Sequence, residues 1–529
     1  MMNYSAAVVE QIPLIHVVDR DDELLLNCID AEWYRILHHF VWQDYLEIAA
    51  EYYDALYHFN LLEAKKSRER RLNQAEACDE SKEEAAQRLL FDRPTMNKAC
   101  PVLYQEEFES APFLTVRPSS LAPGIVPDRI GGRKPKCFFA LFKSFLGTSL
   151  LGFSPEPEIV HLLLTSNLPF ARVCGFVPKD DNSEYWNRHV PSLRKLQQFD
   201  MIMRDWGLWD RIKWDEVKRN IKEGVIEKEK ELVGDTTHYH AYSGFETVTY
   251  EEGGKEQKKS QSKVTKRCNC EDWEHCPHPW VLADDGAGTI VKSKSKIIWG
   301  HKASVLGFPK QGVPIDAAAV ADGATFDGKT LFPHVEKVFE HLPEIKPVID
   351  RVLYDSACDD KALKEKFQEE LNIELKTSLN PRRKKPVTEN LPRGMKKVTP
   401  YGSLICAAGH EMDYKGIRYE AEKLIYQAPV NGNNISVCLN CEHKMECCPH
   451  ADIGRTINLS FDCLPHIDTD DPPMAKRFKA IMTRRPSVER MIKRLKCDLG
   501  DDRLKKRGNA SFQAYLDKTM IAFHVLLRN

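Results

Sequence analysis

Apolar side chains recur at steps of three and four through residues 30–66, where Val41, Tyr45, Ile48, Tyr52, Leu56 and Phe59 alternate with charges. That spacing predicts an amphipathic helix. The charged stretch AKKSRERRLNQAEACDESKEEAAQ that follows reads as a solvated continuation or a linker. Residues 110–136 are rich in Pro and Gly, which predicts an extended connection and a natural boundary. Helical spacing returns from 137 to 228 in FFALFKSFLG, PEIVHLLLTSN, SLRKLQQFDMIMRDWGLWDRI and WDEVKRNIKEG, short segments joined by Pro, Gly and Ser-Asn turns. After 228 the period becomes that of strands. LVGDTTHYHAYS, Lys296–Leu306 and Val313–Ala321 predict three strands, and Phe332–Leu342 a helix. A fourth strand (Val348–Asp355), a second helix (Lys361–Leu371) and a fifth strand (Ile373–Thr377) follow. The expectation is an α/β core with a mixed five-stranded sheet, preceded by helical regions.

A chain of 529 residues is too long for one core and predicts two or three domains. We place them at 1–135 (mainly helical, with the linker), 136–228 (helical) and 229–529. Hydrophobic residues at 42% and a net charge of −2 decide neither for nor against a nucleic-acid partner, so local clusters carry that question. The most apolar stretch, Phe138 to Phe153, contains Lys143, Gly147 and Gly152 and is too short to span a bilayer. The first residues lack a basic region ahead of an apolar run, so no secretory signal is expected. Sixteen cysteines in a chain expected to be cytoplasmic point to metal ligands or buried thiols rather than disulfides.

The candidate chemistry begins with acids at strand ends. Asp235 follows Leu232, Val233 and Gly234 and precedes Thr236, Thr237 and His238; Asp355 ends Val352–Leu353–Tyr354. Aspartates there stand where α/β sheets place their sites; one such residue alone is more readily a turn or helix cap, and two in the correct strands reverse that preference. Asp350, Asp359 and Asp360 compete for the second position, Asp350 from mid-strand and the other two as helix-start residues. A third acid, Glu489, lies in RRPSVERMIKRLKCDLG. A helix starting near Pro486 puts Arg485, Glu489, Lys493 and Lys496 on one face, which is either a metal ligand among phosphate-holding bases or a solvated charged stripe. Converging carboxylates suit Mg²⁺ or Mn²⁺.

In this ordered set the chain resembles the insertion-sequence DDE transposases of bacteria and archaea. Many of them carry Tyr-x2-Arg-x3-Glu-x6-Lys around the third acid; Arg485, Glu489 and Lys496 match it, with Met482 at the tyrosine position. GDTTHYHAYS looks like the family's first-aspartate strand, and IIWGHKASVL, with Gly300, His301 and Lys302, like its Gly-aromatic-Lys strand with His for Tyr. The likeness covers residues 137–529. It implies a ribonuclease H-like catalytic core, with Asp235, Asp355 and Glu489 as catalytic residues and ligands of two Mg²⁺ or Mn²⁺ ions. It also implies cleavage at the ends of a mobile element and joining of the freed 3′-hydroxyl to target DNA. A homodimer or higher synaptic complex on double-stranded DNA, associated with the nucleoid of a prokaryote, comes with that activity. The rival readings are a domesticated DNA-binding protein without catalysis and a nuclease that cuts without joining.

The long separation between Asp355 and Glu489 implies an insertion at about 400–455. Its Cys438-x2-Cys441, Cys447 and upstream Cys406 resemble the set in the cysteine-bearing branch of the family, and four thiolates suit a structural Zn²⁺. Cys448, His443, His450 or His410 can replace one ligand. The tighter cluster Cys268, Cys270, Cys276 and His278 stays open between metal and free side chains. Expected DNA contacts are Arg382, Arg383, Lys384 and Lys385 in a Pro-broken basic loop that also holds Lys376, together with Lys302, Arg485, Lys493 and Lys496.

Overall fold

The computed structural model describes residues 31–56, 58–60, 63, 136–178, 183–252, 255–265, 281–293, 296–380, 385–450, 454–464, 467–468 and 471–529. Its centre is a mixed sheet built from β1 (Glu231–His240), β2 (Gly288–Ser293), β3 (Lys296–Phe308), β4 (Val313–Ala319), β5 (Arg351–Tyr354) and β6 (Glu374–Thr377). The order is β6-β5-β1-β3-β2, with β4 also paired to β3. β1 is antiparallel to β3 and parallel to β5, and β5 is parallel to β6. Val352, Leu353 and Tyr354 of β5 are all fully buried, as expected of an inner parallel strand covered on both faces. The five expected strands are present. β2 is an addition: β3 is long enough for residues 296–300 to pair with β2 and residues 303–308 with β4.

Two elements depart from the sequence reading. A hairpin of Phe245–Glu252 with Lys255–Ser262 forms where the Glu/Lys-rich composition hides the alternation. The Gly253-Gly254 pair between its strands is the turn signal that was available in the sequence. The helix expected at residues 30–66 is broken after Glu32–His38 (α1) and resumes through a 3-10 turn at Trp42–Tyr45. That break leaves Val41 exposed while Phe40 stacks on Tyr45 and packs against Phe142.

The helices α2 (Phe138–Leu150), α3 (Pro157–Ser166), α4 (Leu168–Cys174), α5 (Leu193–Asp205) and α6 (Leu208–Lys222) follow the expected pattern. Phe138, Phe142, Phe145, Phe199 and Trp209 are buried in the same continuous apolar core as Leu232, Val305 and Leu353 of the sheet, so packing does not divide at residue 228. The remaining helices are α7 (Asp327–His341), α8 (Lys361–Lys366), α9 (Lys444–Cys447), α10 (Lys476–Met482), α11 (Ser487–Lys493) and α12 (Asn509–Arg528). α12 joins the two patterns, packing on α2 and α6 on one side and β4 on the other. The inserted region keeps a second core of its own, from Leu379 to Met474, centred on Val398, Leu404, Leu424, Tyr426 and Leu459. It is thus wider than the 400–455 expected. Its frame is a three-stranded antiparallel sheet of 413–418, 423–427 and 456–460.

Candidate active site

Parallel pairing sets the first two acids side by side. Leu232 lies opposite Val352 and Val233 opposite Leu353. Two residues beyond those pairs come Asp235, still within β1, and Asp355, just past the end of β5, so the register brings the two acids to neighbouring positions. Gly234 leaves room for two neighbouring side chains: a Cβ there would meet Leu306 Cδ2 at 2.8 Å and Tyr354 Cε2 at 2.9 Å. Asp355 also caps the turn Ser356–Cys358, accepting the Ala357 N–H at 2.8 Å. Its competitors are spent elsewhere. Asp360 caps α8 through Leu363 N–H, Asp359 takes the Asn380 N–H and Lys364, and Asp350 pairs with Lys230.

The third acid reaches the first through an arginine. Arg485 donates to Asp235 Oδ2 at 2.5 Å and to Glu489 Oε1 at 2.9 Å, so one guanidinium bridges the two. α11 starts after Pro486, and Arg485 and Glu489 stand one turn apart as the spacing suggested for this pair. Burial pushes the Asp235 carboxyl up to about 6, against the pull of Arg485 and the Thr236 N–H, and the negative charges of Asp355 and Asp327 add to the rise.

Asp327 is the acid that the sequence reading missed. It opens α7, whose start was expected at Phe332; the Gly-rich approach GATFDGK and Pro333 inside the helix obscured the signal. An Asp at a helix start was the cue available. Asp327 Oδ2 accepts from the Thr236 hydroxyl at 3.1 Å and Oδ1 from Lys302 Nζ at 3.0 Å. Lys302 is 7% exposed and also donates to the Thr325 carbonyl, so the structure gives this expected DNA contact an interior role. Tyr354 is fully buried, and its hydroxyl has no hydrogen-bond partner among the described residues. Burial, then the charges of Asp327, Cys358, Asp235 and Asp355, hold its phenol well above the usual range.

The expected DNA-facing cations are distributed unevenly. Lys493 and Lys385 are exposed. Lys496 turns inward through the π-helical turn Arg494–Asp498, donating to the His238 carbonyl and lying 5.1 Å from the Tyr239 ring. Lys376 is buried between Glu374, Asp468 and Asp471 and leaves the basic loop altogether. Arg382, Arg383 and Lys384 lie outside the described residues. On the surface nearer Glu489, Lys476, Arg477, Lys479 and Arg490 are exposed.

In the insertion, Cys406, Cys438, Cys441 and Cys447 line one cavity of about 20 Å³ together with Cys448, His410 and His443. That is room for about one water-sized body. Burial and the neighbouring Cys438 push the Cys448 thiol up to about 11, and Arg455 donates to Cys447 Sγ at 2.9 Å. His450 is placed outside the cavity lining, and Cys268, Cys270, Cys276 and His278 lie outside the described residues. Among the described residues, no three His, Cys, Asp or Glu side chains stand close enough together to hold a metal ion as they are, in the acid pocket or here. Nor is any described helix long and apolar enough to cross a membrane. No protein-family model matches the chain, and no curated protein matches its sequence.

Proposed function

We propose that the protein is a DDE-type DNA transposase on a ribonuclease H-like core, cutting the ends of a mobile element and joining the freed 3′-hydroxyl to target DNA. The observation that carries this reading is the matched register that brings Asp235 of β1 and Asp355, just past the end of parallel β5, to neighbouring positions, with Glu489 tied to Asp235 through Arg485. The order β6-β5-β1-β3-β4, with two parallel pairings followed by two antiparallel ones, supports the fold. The donors fit a hard cation in kind: all are carboxylate oxygens, and burial with like charge raises Asp235 where an ion would relieve it.

Asp235, Asp355 and Glu489 would hold the divalent ions, which supply activation of the attacking oxygen and stabilisation of the leaving one. The chain's own groups do the positioning. The β1–β5 register fixes the first two acids, and α11 brings the third from the far end of the chain. Arg485 is shared between Asp235 and Glu489 and offers a planar fork of donors suited to a phosphate. Exposed Lys493, Lys385, Lys476 and Lys479 supply point charges for the DNA backbone. In the insertion, Cys406, Cys438, Cys441 and Cys447 would hold a structural Zn²⁺, a reading supported by the four thiols lining one small cavity.

The test uses purified full-length protein on DNA carrying the element's ends, with Mg²⁺ or Mn²⁺. Wild type is expected to cut and join, while Asp235→Ala, Asp355→Ala and Glu489→Ala bind the DNA and do neither. Wild type that binds the ends but never cuts would leave a DNA-binding protein without catalysis. Cutting without strand-transfer products would leave a nuclease.

A further inference from the structure

We propose that Asp327 is a positioning residue for Asp235, acting through the Thr236 hydroxyl with Lys302 as its fixed counter-ion. This rests on reading Asp235 as a cation ligand. Thr236 gives both of its donors to acids: its N–H goes to Asp235 Oδ1 at 2.8 Å and its hydroxyl to Asp327 Oδ2 at 3.1 Å. One residue therefore fixes the distance between two carboxylates that arrive on different elements, β1 and the start of α7.

The remaining oxygen of Asp327 is held by Lys302, which stands on β3 opposite His238 of β1 and is itself fastened to the Thr325 carbonyl at 2.5 Å. Asp327 is thus clamped from two strands and from its own approach loop. Its charge is balanced by Lys302, while Asp235 next to it shares one guanidinium with Glu489. A balanced, immobile acid beside one that shares its cation is suited to orienting its neighbour rather than to taking the ion itself.

An ordinary helix-start ion pair would not need this address. The Thr236 hydroxyl ties Asp327 to the residue whose N–H also holds Asp235, and Lys302 brings a second strand of the sheet onto it. Outer partners of metal ligands typically change metal affinity about 10- to 100-fold when removed.

The experiment is Mn²⁺ titration of the full-length protein, read by the loss of the free-ion electron paramagnetic resonance signal, with circular dichroism melting as the check on folding. Asp235→Asn is expected to abolish binding. Asp327→Ala is expected to weaken it about 10- to 100-fold, and Thr236→Val, which removes one hydroxyl and leaves the Asp327–Lys302 pair in place, about 10-fold. If Asp327→Ala does not fold, Thr236→Val carries the test. Wild-type affinity in both Asp327→Ala and Thr236→Val, with binding lost in Asp235→Asn, overturns the positioning role and leaves the transposase reading standing. No Mn²⁺ binding by wild type, or undiminished binding by Asp235→Asn, overturns the reading of Asp235 and this proposal with it.

Discussion

Two aspartates buried in the same sheet meet opposite electrostatic fates. Asp316 of β4 accepts from Lys213 Nζ at 2.7 Å and from His334 Nε2 at 3.2 Å, with Lys337 close by at 3.6 Å. Burial alone would raise it, but these cations hold its carboxyl well below the usual range. Asp235 of β1 is also mostly buried and also has a strong ion pair, yet it is pushed up to about 6. The difference lies in the count of neighbours. Asp316 is surrounded by cations, whereas Asp235 shares one arginine with Glu489 and faces Asp355 and Asp327. Asp316 holds helices to the sheet, whereas a raised acid facing other carboxylates is a candidate functional residue.

The largest effect that would break this contrast is at Lys213. It is fully buried among Asp210, Asp316 and Asp517, and it joins α6 to β4 and α12. Lys213→Met strands the aspartates, and urea unfolding is expected to show a loss of about 3–5 kcal/mol. A loss below about 1 kcal/mol would mean that the cluster contributes little beyond packing.

The next effect has the opposite sign. With a native pKa near 6 against an ordinary 3.8, Asp235 binds its proton more tightly in the folded state. It therefore favours folding at low pH, and that contribution is lost as pH rises through about 6. Without divalent ions, Asp235→Asn is expected to raise stability by on the order of 2 kcal/mol at pH 8 and by almost nothing at pH 4. Asp316 runs the other way, its contribution fading as pH falls below the usual aspartate range. Denaturant melts of wild type and Asp235→Asn at the two pH values measure the sign; destabilisation at pH 8 would make Asp235 another structural ion-pair residue.

The smallest effect is at Tyr354. Removing a buried hydroxyl that has no partner is expected to raise stability by about 1 kcal/mol in Tyr354→Phe, measured without added metal. A loss of that size would show that the hydroxyl has a bonded role.

Much of the sheet was legible because its strands are short apolar runs bounded by turn residues, as in Val352–Leu353–Tyr354, and because the acids sit where those runs stop. Arg485 and Glu489 were legible because four residues make one helical turn. What escaped was contact made across the chain. Lys302 looked like a surface base, since its spacing along β3 carries no sign that Asp327 waits 25 residues later to bury it. Asp327 itself was hidden by a helix start rich in Gly and interrupted by Pro333. The shared core of the helices and the sheet was equally invisible, because periodicity reports which face of an element is buried and not what covers it.

The position of α12 has a consequence for how the protein comes into being. Phe512, Leu516, Met520, Ile521 and Phe523 lie in the middle of the common core, and the helix touches α2, α6 and β4 at once. During synthesis, residues 138–319 emerge long before the segment that fills the space between them. The core cannot close until residues 509–528 have left the ribosome, so a chain interrupted anywhere upstream is an open scaffold with exposed Phe and Trp side chains, a target for chaperones and proteases. Stalled or truncated copies would thus be removed before they could accumulate.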